Sequence, residues 1–501
     1  MVILISLSLV WFLLYFASSY SLFFYVFLTI FNILAVVSII NREANPEYKI
    51  PWLVITLLIP LFGAALYLIF YSRKLSKKEA RLLGRINQSA RAAEGEGYSE
   101  KERIHLSSLM EEGTDAFGKV RALLDGDPLA TLYRASQSRY YPLGENMYLD
   151  MLRDIEGAQK YIFLEYFIVE EGKMWDEIYS RLKEKAREGV DVRVLYDDIG
   201  CMKTLPSSFP KKLSSVGIKC HRFSKVTPRI SAIHNNRDHR KILVIDGKTA
   251  YTGGVNIADE YINAVTKYGH WKDGGVRVTG DAALGFVKLF LSSWDFTVGG
   301  VSDYSEYFPL EDSDDIGDGG YYVPFGTGPL PIYRRSVGKD AFINLINQAK
   351  RYVYITTPYL IIDYSLTEAL KCAAHRGVDV RIITPGIPDK KRIKVMTKSS
   401  YPTLMESGVR IFEYLPGFIH EKLMVVDDLY AVVGTINLDY RSLVHHFEDG
   451  LWMYNTPTVE EIKTEFMNTL SVSDEIDERE ARLTPYEKIV KVLIRLFAPL
   501  L

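Results

Sequence analysis

The feature that most constrains this chain is a pattern that occurs twice. His239-Arg240-Lys241 opens an apolar run, Ile242 to Ile245, that ends in Asp246, and Gly253, Gly254 and Asn256 follow. His420-Glu421-Lys422 opens Leu423 to Val426, which ends in Asp427, and Gly434, Thr435 and Asn437 follow. Both copies read H-x-K-x4-D-x6-G-(G/T)-x-N and lie 181 residues apart. So many polar positions repeated at one spacing signal an internal duplication, and the fold must present the same set twice. A second repeat agrees: Tyr161 to Leu164 with Gly189 to Leu195 recurs as Tyr352 to Ile355 with Gly377 to Ile383. In each copy an amphipathic stretch, Trp175 to Arg187 or Leu366 to His375, separates two β-rich runs. This is the β-α-β pattern of a parallel sheet covered by helices. The expected class is α/β, with two pseudo-twofold-related domains of mixed or parallel sheet and flanking helices.

Charge is distributed just as unevenly. The net charge is only -2, yet Met1 to Asn41 contains no Asp, Glu, Lys or Arg. A bilayer core takes about 20 apolar residues per helix, which Pro51 to Tyr71 supplies without a charge. This run predicts a transmembrane helix, and Val2 to Ile40 predicts two short spans broken near Ser18 to Ser21, or one long tilted helix. From Arg73 to Arg91, seven basic residues face Glu79 alone, a net +6. Basic residues flanking a membrane segment mark its cytoplasmic side and attract anionic headgroups.

The expected division is therefore 1–72, a transmembrane segment of two or three spans; 73–128, a basic connector; 129–310, a first domain; and 311–328, an Asp/Gly-rich linker. A second domain, 329–484, and an amphipathic C-terminal helix, 485–501, complete it. That helix carries Lys488, Lys491 and Arg495 beside Ile489, Val492, Leu493 and Leu496, which suits either a membrane surface or a closing contact on the core. Cys201, Cys220 and Cys372 have neither the pairing of a disulfide framework nor the spacing of a zinc site, which suits a reducing compartment. The near-neutral charge argues against a nucleic-acid partner. Oligomeric state is not legible.

The residue types of the repeated pattern suit a phosphate group. His239 and Lys241 stand two apart at the start of a β-run, so both project from one face. Asp246-Gly247 predicts a tight turn that returns the chain beside them. Lys241 and Lys422 supply fixed positive charge, Asn256, Asn437 and Thr435 neutral donors, and Gly254 a close backbone approach. Asp246 and Asp427, at the turns, suit structural members of the motif better than bases, and Glu260 is a further residue near it.

These motifs resemble the paired HKD motifs of the phospholipase D superfamily. Asn236 to Lys241, Gly253 to Tyr261, Gly417 to His420, Ala498 to Leu501 and the N-terminal apolar segment are similar to bacterial cardiolipin synthases. The resemblance implies two phospholipase D-like domains and a catalytic set of His239, Lys241, Asp246, His420, Lys422 and Asp427. It also implies a bacterial cell membrane location, multi-pass, with the domains on the cytoplasmic side. By resemblance His239 is the nucleophile and His420 the acid/base, a choice that the residues themselves leave open. The implied reaction joins two phosphatidylglycerol molecules into cardiolipin and glycerol through a phosphohistidine, with no cofactor, no metal and no convincing metal-ligand cluster. Anionic phospholipids and the bilayer are the implied partners. Each histidine needs a carboxylate on its second nitrogen. The pairing expected is Asp273 for His239 and Glu448 for His420, although Gly275 and Asp449 depart from the family pattern. The alternative is a membrane-bound phospholipase D that hydrolyses or transphosphatidylates other phospholipids.

Overall fold

A computed structural model describes residues 21–42, 46–71, 75–225, 236–308 and 317–497. The strands of the first half, in chain order, are β1 (Ser136–Tyr141), β2 (Tyr161–Tyr166), β3 (Asp191–Asp197), β4 (Lys219–Phe223), β5 (Lys241–Ile245), β6 (Thr249–Gly253), β7 (His270–Lys272) and β8 (Gly275–Gly280). Those of the second are β9 (Tyr321–Thr327), β10 (Tyr352–Thr356), β11 (Leu360–Ile361), β12 (Asp379–Pro385), β13 (Arg410–Tyr414), β14 (Gly417–Ile419), β15 (Leu423–Val426), β16 (Tyr430–Gly434), β17 (Leu438–Asp439), β18 (Glu448–Tyr454) and β19 (Ser473–Glu475).

Two large sheets result, with orders β1-β8-β6-β5-β2-β3-β4 and β19-β13-β12-β10-β15-β16-β18-β9, besides the two-stranded pairs β11-β17 and β14-β7. The second repeats the first strand for strand and adds β19 at its edge. In each, three parallel strands continue into an antiparallel meander. Even the register repeats, Tyr161 facing Asp191 as Tyr352 faces Asp379. The central strands are buried along their length because helices cover them, which is why β2 and β10 read as continuous apolar runs. The helices Lys173–Arg187 and Tyr364–His375 supply the parallel crossovers.

The motif aspartates anchor the returning turns. Asp246 accepts backbone N–H bonds from Gln159, Lys160 and Tyr161 at 2.7, 2.7 and 2.8 Å, and Asp427 from Lys350, Arg351 and Tyr352 at 2.7, 2.8 and 2.9 Å. Both adopt left-handed backbone, φ 53° and 57°, which Asp tolerates better than most residues. Each clamp fixes where its parallel strand begins.

The halves are stitched by backbone pairing. β7 runs parallel to β14, Asp238 bridges Phe447, and Tyr133 bridges Tyr322. A shared apolar core runs through Phe163, Val276, Phe286, Phe325, Val353 and Trp452.

The N-terminal segment departs from expectation. The apolar run expected as one helix over Pro51–Tyr71 forms two, Pro46–Leu58 and Pro60–Tyr71. Pro60 lacks an N–H and its ring opposes the carbonyl four residues back, so the helix ends before it. Gly63 then passes so near Ile55 that a Cβ would stand 2.4 Å from the Ile55 carbonyl oxygen. Another helix covers Ser21–Asn41, and residues 1–20 of the predicted earlier span lie outside the described part. Among the described residues no helix is long and apolar enough to cross a membrane. Ile39, Trp52 and Tyr67 form a small core of this unit, while Phe23, Phe27, Leu34, Leu58 and Phe62 are exposed.

Candidate active site

Lys241 begins β5 and Lys422 just precedes β15, so each histidine stands where an irregular segment enters the sheet. Those segments are held by the opposite half. The His239 N–H donates to the Phe447 carbonyl at 2.8 Å, Phe447 N–H to Arg237 at 2.8 Å, and His420 N–H to Lys272 at 2.7 Å. The two motifs therefore meet in one buried site.

This pairing also decides which carboxylate serves which histidine, and it reverses the sequence-based assignment. Nδ1 of His239 bonds Oε2 of Glu448 at 2.8 Å, and Nδ1 of His420 bonds Oδ2 of Asp273 at 2.6 Å. Each acid crosses to the other half, because the residues beside it pair with the incoming strand of the other motif: Lys272 with Ile419, and Phe447 with Asp238. An ionised carboxylate only accepts, so it selects the Nδ1–H tautomer and leaves the Nε2 lone pair free on both rings.

Burial and charge set the protonation. Burial pushes His239 down to about 3 against the opposing pull of Glu448. His420 is held well below its usual value by burial, then by Lys422 and Lys241. Burial brings Lys241 down to about 8 and Lys422 to about 7, and each lysine feels the carboxylates of both halves. The carboxylates differ. Burial raises Asp273 to about 6 against the pull of Lys422 and Lys241. Burial also works to raise Glu448, but the His239 and His446 imidazoles outweigh it and hold the group below the usual carboxylate range.

The remaining predicted residues are placed as follows. Both lysines donate to the carbonyl of their own histidine, Lys241 at 2.8 Å. Asn256, expected to hold phosphate, accepts from the Ile168 N–H at 3.0 Å and donates to the Tyr261 hydroxyl at 2.7 Å. Thr435 exchanges hydrogen bonds with the Asp449 backbone. Asn437 is buried with its Oδ1 unpartnered, which leaves an acceptor turned inward. Gly254 is required for a reason other than phosphate approach: a Cβ there would stand 2.0 Å from Oδ1 of Asp273. Asp246 and Asp427 lie at the far ends of β5 and β15, in the clamps described above, and not among the catalytic-site groups. Glu260 pairs with Lys267 at 2.6 Å.

Several groups escaped the sequence reading. Phe167 packs 4.9 Å from the His239 ring, and Tyr261, Trp271 and Phe418 lie 5.5, 5.7 and 5.7 Å from His420. Asp449, raised by burial to about 7, bonds Thr252, while Glu421, also raised by burial to about 7, bonds Tyr140. His446 lies 5.4 Å, ring to ring, from His239. With His239 and Glu448 it forms a buried group able to hold a metal ion, where the sequence reading expected no such cluster. The doubled His in His445-His446 was the available signal, but nothing in the linear order shows that it meets His239.

Comparison with known proteins places this geometry in a family. The profile described as "Cardiolipin synthase, PLD-like domain" matches residues 151–266 and 342–470, and "Phospholipase_D-nuclease N-terminal" matches 30–70. An uncharacterised protein of Streptococcus mutans is 40% identical over 93% of this chain and 99% of its own length. A cardiolipin synthase of Staphylococcus aureus strain Mu50 is 31% identical over 94% of this chain and 95% of its own. The crystal structure of phosphatidylserine synthase from Haemophilus influenzae shares the fold, with TM-score 0.56 and 17% identity over 72% of this chain and 94% of that one. Two sheets of one topology, two H-x-K motifs meeting in one site, and these near full-length similarities establish that the chain belongs to the cardiolipin synthase family of the phospholipase D superfamily.

Proposed function

We propose that the protein transfers a phosphatidyl group from one phosphatidylglycerol to another, releasing glycerol and forming cardiolipin. The observation that carries this reading is the pair of buried imidazoles, each tied through Nδ1 to a carboxylate of the opposite half. Such a pair can split one displacement at phosphorus into two. The anionic phosphodiester, on entering, favours a second proton on His420, taken up at Nε2. In the first step Nε2 of His239 bonds phosphorus, the bond to the glycerol oxygen breaks, and Nε2 of His420 gives that oxygen this proton. In the second step the hydroxyl of a second phosphatidylglycerol returns a proton to His420, its oxygen bonds phosphorus, and the bond to His239 breaks. Atoms and protons balance over the cycle, and every step is reversible.

The asymmetry of the carboxylates supports this division. A phosphoimidazole carries positive charge, and Glu448, held ionised, stabilises it. Asp273, raised by burial to about 6, holds its negative charge less firmly and suits the partner of a group that gains and loses a proton. Lys241 and Lys422, released from the histidine carbonyls, would hold the non-bridging oxygens. Asn437 completes the phosphate side, while Gly254 makes room for Asp273 and Thr435 holds the Asp449 backbone. Asn256 acts through Ile168 and Tyr261.

Both substrates reside in a bilayer, and the exposed apolar side chains of the N-terminal helices support anchorage there. In this reading residues 1–72 hold the catalytic body at the cell membrane, its first domain is 129–310 and its second begins already with β9 (Tyr321–Thr327), an edge strand of the second sheet inside the expected 311–328 linker, and the +6 stretch faces cytoplasmic anionic headgroups. Purified protein incubated with headgroup-labelled phosphatidylglycerol is expected to give cardiolipin and labelled glycerol. Phosphatidic acid as sole lipid product would establish the hydrolase instead.

A further inference from the structure

One side chain sets the two half-sites apart. Glu448 lies between two imidazoles, with Oε2 at 2.8 Å from Nδ1 of His239 and Oε1 at 3.5 Å from Nδ1 of His446. His446 is only 7% exposed; its Nδ1 makes no contact closer than this long one to Glu448, and its Nε2 has no hydrogen-bond partner. Buried polar groups left without a good partner are costly and rare, so a ring with one nitrogen unpartnered and the other held only by a long contact calls for a ligand. Among the described residues, His239, His446 and Glu448 are the sole group of His, Cys, Asp and Glu side chains whose donor atoms all lie within 4.8 Å of one another.

We propose that these three side chains bind Zn2+ or a similar borderline divalent cation, and that its occupation switches transfer off. Two imidazoles and one carboxylate are a recurrent zinc donor set, with bonds of about 2.0–2.2 Å and donors therefore roughly 3.3 Å apart. Small rotations about the side-chain torsions bring the present donors to that spacing. The ion would replace the proton between His239 and Glu448. With Nδ1 on the metal, the neutral His239 ring carries its proton on Nε2. The lone pair needed to attack phosphorus is then lost, while the overall proton count of the ring is unchanged. The site is inhibitory by construction, and among the described residues the Asp273–His420 half has no third ligand to match it.

Metal binding stands on geometry alone, whereas the loss of transfer rests on the function proposed above. The test uses the purified full chain in detergent, titrated with Zn2+ against a chromophoric chelator and with Co2+ followed by its visible absorption. The expected result is uptake of one ion, weakened about 10- to 100-fold or more in His446→Asn and retained in His446→Cys, which restores a ligand. Each variant's thermal unfolding confirms that it is folded before titration. Transfer activity should fall about tenfold or more on saturation with Zn2+ and return with EDTA, with loss of this sensitivity in His446→Asn, each variant being compared with its own metal-free rate. No uptake by the parent protein, or equal uptake by the parent and His446→Asn, would overturn the site. Uptake without loss of transfer would overturn the switch. Uptake lost in His446→Asn, by a protein that makes no cardiolipin under any condition, would uphold the metal site and reject the function instead.

Discussion

The halves of this protein share a sheet topology, a strand register and a motif, but they do not share an environment. On the first side His239 meets Glu448, His446 and Phe167; on the second His420 meets Asp273 inside a wall of Tyr261, Trp271 and Phe418. The neighbours of the histidines diverge in charge as well. Arg240, which donates to Ser293 at 2.6 Å and Tyr333 at 3.0 Å, occupies the place that Glu421 takes in the second motif. A duplication therefore preserved the scaffold that places two imidazoles, both pushed down by burial, and let the carboxylates behind them drift apart, which suits the division of roles proposed above.

The sharpest way to break this comparison is to remove each histidine in turn. His239→Ala and His420→Ala should each abolish cardiolipin formation, a loss of about 10^4 or more, as for other paired catalytic groups. They should differ on a phosphodiester with an activated aryl leaving group, which departs without a proton. His420→Ala is expected to release a stoichiometric burst of the aryl alcohol, and His239→Ala none. The reverse pattern would exchange their roles.

The carboxylates come next. Glu448→Gln should lose more turnover than Asp273→Asn, about 10^3–10^4 against about 10^2, because the charge on Glu448 faces the cationic phosphoimidazole. Steady-state rates with KM and kcat separated check this, and equal losses would remove the distinction. A related prediction concerns pH. Asp273 is raised to about 6, so it takes up a proton as pH falls through that value, and the His420 orientation that it enforces is lost. Glu448 is held lower and stays ionised over the same interval. The acid limb of kcat should bend near pH 6 and lose that bend in Asp273→Asn. The sign for stability is opposite to that of an ordinary ion-paired acid. A carboxyl raised above its unfolded value near 3.8 binds more protons folded than unfolded between the two values, so its contribution weakens as pH rises from about 4 to about 6.

The smallest effect belongs to Asp246 and Asp427, where the halves are alike. Replacing either by Ala leaves three backbone N–H groups without their acceptor and should cost about 1–3 kcal/mol of stability by denaturant unfolding. The folded fraction should keep its kcat. A loss of kcat beyond the loss of folded protein would return these residues to the catalytic set. EDTA should leave turnover undiminished, because no step above passes through a metal.

Much of this was legible in the linear chain. Periodicity in Tyr161–Leu164, Val190–Leu195 and their counterparts announces parallel strands, and the spacing from His239 to Asn256 announces a hairpin. Local patterns report what neighbours along the chain do. Pro60 is itself such a local signal, and it divides a run whose length and hydropathy taken alone predict one helix. Local patterns could not assign Asp273 and Glu448, since reach in sequence favours the nearer histidine and the pairing is made across halves.

By itself the sequence determined the duplication, the two imidazole-lysine pairs and the family, because these are matters of residue type and spacing. Only the tertiary structure decided that each acid crosses to the other half, that Gly254 makes room for Asp273, and that His446 shares Glu448 with His239. Contacts between residues about 150 to 210 apart are set by β7 lying on β14 and Phe447 on Asp238. Pairing energy in such contacts depends on the packing of both sheets at once, and no window of the chain contains it.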